Sequence, residues 1–153
     1  MQALELKIPP PVAAVLVGLA MWWTAHQFPP VRSAGLARVI VACAFPMLGL
    51  SIASSGFWSF RRAKTTVNPV HPETASSVVT TGIFGYTRNP MYVGLALVLT
   101  GWAVWLSVPW VFLGPIVLVL FLRRFQIVPE ERAMSLKFGR DYDDYRKRVR
   151  RWI

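Results

Sequence analysis

From residue 36 to residue 60 the chain carries a single charged side chain, Arg38, close to one end. A run of that length exceeds the roughly 20 apolar residues a helix needs to cross the hydrocarbon core of a bilayer. Inside hydrocarbon the backbone must satisfy its own hydrogen bonds, which restricts such a run to a helix and fixes the class of everything attached to it. Three further runs, 12–28, 91–106 and 110–125, are shorter but equally apolar in character. Composition agrees: 54% hydrophobic against 16% charged residues in a chain of 153 is too apolar for an ordinary soluble domain.

The spacing therefore predicts an all-α integral membrane protein with about four transmembrane helices, arranged as one membrane-embedded domain over 1–153. Pro9-Pro10-Pro11 opens the first span, which lacks the small-residue cleavage site of a secretory signal. In the second, Arg38 is placed to snorkel and Pro46 to kink the helix. Ser107-Val108-Pro109 between the last two spans is too short and too uncharged for a folded segment, so those spans read as a hairpin, with Pro115 as a second kink. The lone Cys43, inside an apolar span, excludes a disulfide within the chain and reads as a small buried hydrophobe.

Charge orients the spans. The formal net charge is +10, and apart from Arg32 and Arg38 the basic residues lie before the first span, in 61–88, or from Arg123 onward. If four spans alternate, these regions share one side, which the positive-inside rule makes cytoplasmic, in a bacterial inner membrane. The basic residues flank apolar runs and form no nucleic-acid-binding motif, so their partner is the anionic membrane surface. Both termini and the long loop 61–90 face the cytoplasm on this reading, and chemistry belongs on that face.

The loop contains "SSVVTTGIF", whose β-branched residues oppose a long helix and whose apolar side chains suit an ordered, partly interfacial segment. Asn89-Pro90 in "GYTRNPMYVG" reads as N-cap and first position of the third helix. Beyond the fourth span, Pro129 with Glu130 and Glu131 reads as the start of a new helix whose positive end the carboxylates complement. Gly139 interrupts it. Met134, Phe138, Tyr142, Tyr145, Val149 and Trp152 recur at helical spacing among basic residues, making residues 128–153 an amphipathic cytoplasmic tail.

A hairpin of the third and fourth spans brings residues 88–92 beside residues 123–131. That juxtaposes cations, carboxylates, aromatic rings and helix-start amides, a set suited to a zwitterionic small molecule with an added positive centre. The plainer alternative is that Arg88, Arg123 and Arg124 obey the topological bias while Glu130 and Glu131 only cap a helix.

The order of "VVTTGIFGYTRNPMYVG", a hairpin, and "EERAMSLKFGRDYDDYRKRV" resembles the C-terminal catalytic half of the isoprenylcysteine carboxyl methyltransferase family and its bacterial relatives, which are also similar to phospholipid N-methyltransferases. The resemblance covers about 68–153. It implies S-adenosylmethionine as cofactor and a membrane-lodged lipidic acceptor. On it, the cofactor-binding segment falls on Ser76, Ser77, Val78, Val79 and Phe84. The R-H-P-x-Y block falls on Arg88, Asn89, Pro90, Met91 and Tyr92, and the cofactor-binding carboxylates of the tail are Glu130 and Glu131. Asn89 stands where the family often has His and cannot titrate, and Ser76 stands for another His. The Arg assigned to the substrate carboxylate aligns with Gln126, leaving Arg123 or Arg124 to replace it, so these three are the candidate catalytic residues.

The resemblance thus points to carboxyl methylation of an isoprenylcysteine-like or other prenyl or lipid acid. Phospholipid amine methylation is the alternative, and a non-catalytic membrane scaffold is the rival of another class. No metal is expected, since His26 and His71 lack Cys or acidic companions at ligand spacing. Asp141 to Asp144, "DYDD", is explained by the dipole of the last helix.

Overall fold

The computed structural model describes residues 5–31, 35–63 and 76–153. His71 and the first half of the long loop lie outside the described residues. Those described form helices and turns, with no strand among them. Helix α1 is Pro10–Gln27, α2 is Gly35–Arg62 and α3 is Pro90–Leu106. A 3-10 turn, Pro109–Phe112, leads into α4, Leu113–Leu122; α5, Val128–Phe138, and α6, Arg140–Arg148, complete the chain. Two helical stretches, Gly35–Arg62 and Pro109–Phe138, are long and apolar enough to cross a membrane, while Pro90–Leu106 is apolar but shorter.

The side chains point as they should for a membrane protein. Along α2, Leu36, Ile40, Met47, Leu48, Leu50 and Trp58 are all more than half exposed, and α4 exposes Leu113, Ile116, Val117 and Leu120 likewise. So much apolar surface turned outward suits lipid and not water. Cys43 is on this outer surface, exposed instead of buried.

Helix α3 is the centre, packed against α1, α2 and α4. Lipid tails are as apolar as leucine, so helices in a bilayer associate through close van der Waals contact, which small residues permit. The α2–α3 seam is built this way. A Cβ at Gly49 would lie 2.6 Å from Gly94 O, and one at Gly94 would lie 2.5 Å from Gly49 O. Pro46 fills the notch at Gly101, and Pro90 the notch at Gly56. Thus Pro46, expected to kink α2, serves as a knob on α3. Pro115 sits in the first turn of α4, where a missing N–H breaks no bond. Arg38, expected to snorkel freely, donates to Ser107 Oγ at 3.0 Å and lies over the Trp105 ring.

The largest departure from the sequence reading lies beyond Phe125. No break separates α4 from the tail: α4 runs into α5 through a π-helical turn, Arg123–Ile127. Val128 N bonds Arg123 O, one residue further back than in an α-helix. Pro129 has no N–H to give to Phe125 O, four residues earlier; Leu6 N takes that carbonyl at 3.0 Å. Gln126 in the same turn is fully buried and donates to Ile8 O at 2.6 Å. Pro129 lies in the first turn of α5, as expected, but that helix grows out of a π turn that receives the N-terminal segment and has no free N-terminus of its own. Glu130 and Glu131 accordingly have no exposed helix dipole to complement. Gly139 does end α5, at a φ of +53° that favours glycine.

Candidate functional site

The site grows from the first turn of α3. Pro90 is buried against Gly56 of α2, which fixes where the turn begins. From there Tyr92 points inward, 7% exposed, and its hydroxyl donates to Glu130 Oε1 in a short contact. Sequence reasoning named both residues for the cofactor, and the fold joins them across the hairpin. Met91 beside them is half-buried.

Asn89 stands at the N-cap position as expected, yet its side chain makes no capping bond. Its Nδ2 donates instead to Arg151 O at 2.8 Å, while its own backbone N–H goes to Thr87 Oγ1. Arg88 N donates to Arg150 O at 3.0 Å. The residues before α3 are thus stitched to the end of the chain.

Beside Tyr92 and Glu130 lies an ion cluster around Glu131. Arg151 grips this carboxylate with two nitrogens, Nε to Oε1 at 3.0 Å and Nη2 to Oε2 at 2.6 Å. Arg88 Nη1 meets Oε1 at 3.0 Å, and Arg146 approaches Oε2 at 4.0 Å. Glu131 and Arg88 are both nearly buried, their side chains 8% and 10% exposed. Glu131, expected among the cofactor ligands, is therefore already engaged by arginines. Tyr142 also shares a hydrogen bond with Arg88; burial pushes this phenol up to about 12, so it meets the guanidinium as a neutral hydroxyl.

The cluster leaves something open. Arg88 Nε and Nη1 are buried without a hydrogen-bond acceptor among the described residues, Nη1 touching Glu131 as an ion contact only. A buried guanidinium N–H left unmade is costly, and a ligand carboxylate would satisfy it. Chemically the set suits a zwitterionic ligand, with Arg88 toward a carboxylate and Glu130 with Tyr92 toward hydroxyl or ammonium groups.

The loop residues reach this region from the other side. Residues 82–85 form a 3-10 turn with Phe84 buried and edge-on to Phe60 of α2. Tyr145 donates to Phe84 O at 2.8 Å. Val79 is buried, Ser77 and Val78 are half-buried, and Ser76 is exposed. The expectation of an ordered segment around "SSVVTTGIF" holds from residue 76 onward.

The candidate catalytic residues fare differently. Gln126 and Arg124 both face the N-terminal segment, Gln126 through Ile8 and Arg124 through an ion pair with Glu5 at 2.8 Å. Arg123 is exposed on the π turn. Sequence reasoning missed Arg151 and Thr87, both of which help join tail to loop. Arg151 had only the basic character shared by its neighbours, and a buried Thr87 within "GYTRNP" carries no signature.

A family model described as phospholipid methyltransferase matches residues 37–141 of this chain. A Haemophilus influenzae protein named only as an uncharacterized protein is 41% identical over 63 residues, which are 41% of this chain and 100% of that protein. No solved structure matches.

Proposed function

Because this chain belongs to the phospholipid methyltransferase family, we propose that it is an S-adenosylmethionine-dependent methyltransferase whose acceptor is a lipid within the bilayer. The observation that carries this reading is the arrangement at the start of α3: unmet buried donors on Arg88 beside the Tyr92–Glu130 pair. S-adenosylmethionine, when bound, supplies an activated methyl group on a sulfonium. Transfer is then an in-line displacement, in which alignment and exclusion of water provide most of the rate.

The division of labour follows from the contacts. Arg88 holds an anionic group, Glu130 accepts from hydroxyl or ammonium groups, and the Tyr92 hydroxyl fixes one carboxylate oxygen so that the other faces the ligand. Phe84, Val79 and Pro90 supply the dry wall. The segment 76–89 acts as the cofactor loop. On the four-span reading both termini and this site face the cytoplasm, because the basic residues concentrate there, and the acceptor enters laterally from the membrane.

For the acceptor we favour the amine of a phospholipid headgroup, which attacks as the free amine once its ammonium proton has passed to water, the cofactor leaving as the neutral thioether. Support comes from the family description and from Gln126 and Arg124, which turn to the N-terminal segment where a carboxylate reader is needed. Carboxyl methylation of an isoprenylcysteine-like or other lipid acid is the second reading. Arg123 favours it, being exposed and without an ion pair among the described residues.

Calorimetry of the detergent-purified protein with S-adenosylmethionine tests the central claim. Binding is expected, and Glu130→Gln should weaken it by about 1 to 3 kcal/mol, the cost of leaving a buried polar group without its partner. A folded protein that binds no cofactor returns the chain to the scaffold reading. Labelled lipid extracted after turnover separates the acceptors, because a methyl ester releases methanol in alkali and an N-methyl amine does not.

A further inference from the structure

The family match ends at residue 141, yet contacts on the candidate site come from ten residues later. Arg151 makes them in two ways. Its backbone carbonyl receives Asn89 Nδ2 at 2.8 Å and Thr87 Oγ1 at 3.4 Å, holding the entry to α3. Its guanidinium forks onto Glu131, with one nitrogen on each carboxylate oxygen. Trp152 follows at once and packs against the hydrophobic core, which anchors the segment.

The fork decides what Arg88 can do. Glu131 offers two oxygens, and Arg151 occupies both at hydrogen-bonding distance; Arg88 is left with one ion contact and an unmet Nε. Arg–carboxylate pairs prefer a two-point geometry whenever both partners are free to adopt it. Without Arg151, Glu131 would turn both oxygens toward Arg88 and satisfy the donors that now have no acceptor. Arg146, 4.0 Å from Oε2 and engaged with Asp143 and Ser135, is the other cation at this carboxylate and holds it loosely.

We propose that Arg151 is a positioning residue of the cofactor site: by occupying both oxygens of Glu131 it limits Arg88 to a single ion contact there and leaves Arg88 Nε available to an anionic ligand group. The inference rests on the reading of the site as one for S-adenosylmethionine and adds the C-terminal segment to it. It makes an unusual demand, that removal of one salt bridge should strengthen a neighbouring one and weaken the ligand. A purely structural Arg151 would lower stability and leave the balance at Glu131 irrelevant.

The experiment is calorimetric titration of S-adenosylmethionine into the full-length wild type, Arg151→Gln, Arg151→Lys, Glu131→Gln and the Arg151→Gln/Glu131→Gln double variant. Arg151→Gln should raise Kd at least tenfold. Arg151→Lys should give an intermediate loss, because an ammonium covers one oxygen but cannot fork. In the Glu131→Gln background the same Arg151→Gln change should shift Kd less than threefold, since the competitor for Arg88 is already neutral. Equal effects of Arg151→Gln in both backgrounds, or wild-type affinity in that single variant, overturn the proposal while leaving the cofactor reading intact. Absence of binding by the wild type overturns both. Should Arg151→Gln fail to fold, Arg151→Lys carries the test, and wild-type affinity in it is the refuting result.

Discussion

Replacing Gly94 by Ala tests whether the α2–α3 seam sets the geometry on which the site depends. The added Cβ would lie 2.5 Å from Gly49 O and 2.8 Å from Ala53 Cβ. One obstacle is backbone and the other a Cβ, so neither can rotate aside. Reaching ordinary contact, which starts at 3.4 Å, requires the helices to separate by about 0.9 Å. Overpacking of this kind costs about 1 to 3 kcal/mol. A Gly to Ala change inside a helix also gains up to about 1 kcal/mol in propensity, which would blur the result. Gly18→Ala supplies the correction: it makes the same change within α1, where the new Cβ meets only Leu99 Cδ2 at 3.4 Å, the end of a flexible side chain. The difference between the two variants cancels propensity and should be about 1 to 3 kcal/mol, roughly 2 to 12 °C in thermal midpoint for a chain of this size. Tryptophan fluorescence during heating of detergent-solubilised protein reads it directly, with seven Trp as reporters. Equal midpoints for Gly94→Ala and Gly18→Ala would refute the close seam.

Three further outcomes follow from single contacts. Tyr145→Phe leaves the Phe84 carbonyl without its donor, and should destabilise by about 1 to 3 kcal/mol with faster amide exchange over residues 82–89; unchanged exchange there would free the loop from α6. Arg88→Lys should insert normally but turn over at least about tenfold more slowly, the equivalent of some 1.4 kcal/mol, because an ammonium cannot both touch Glu131 and present a planar donor pair; wild-type turnover would reduce Arg88 to a topogenic charge. Cysteines introduced at Ser107 and Arg140, in a background without Cys43, should react with impermeant reagents from opposite sides of the membrane, and labelling from one side would overturn the four-span topology.

How far the sequence alone reaches depends on the range of the interaction. Hydropathy places α2 within two residues of its observed ends, since each turn of a membrane helix repeats the same local requirement. The pairing of Tyr92 with Glu130 was accessible too, once 91–106 and 110–125 were read as a hairpin. Pro129 in a first turn is legible in the sequence; that α5 continues α4 through a π turn is not, because the freed Phe125 carbonyl is taken by Leu6, far away in sequence. Asn89 shows the same limit. Its type and place predicted a cap, and its position was right, but a competing carbonyl at Arg151 claimed the side chain. Glu131 was assigned to a ligand, since nothing in "PEER" reveals that the arginine which engages it lies near the end of the chain.

The docking of the N-terminal segment on the π turn bears on how the protein is made. Ile8 and Gln126 are separated by 118 positions, so Ile8 leaves the ribosome long before its partner exists. Through that interval the segment has no partner, and the fully buried Gln126 amide finds its acceptor only when the two meet. Contacts of such long range are slow to close. The N-terminal segment therefore closes onto the π turn late, after the residues of the last long helix have been made.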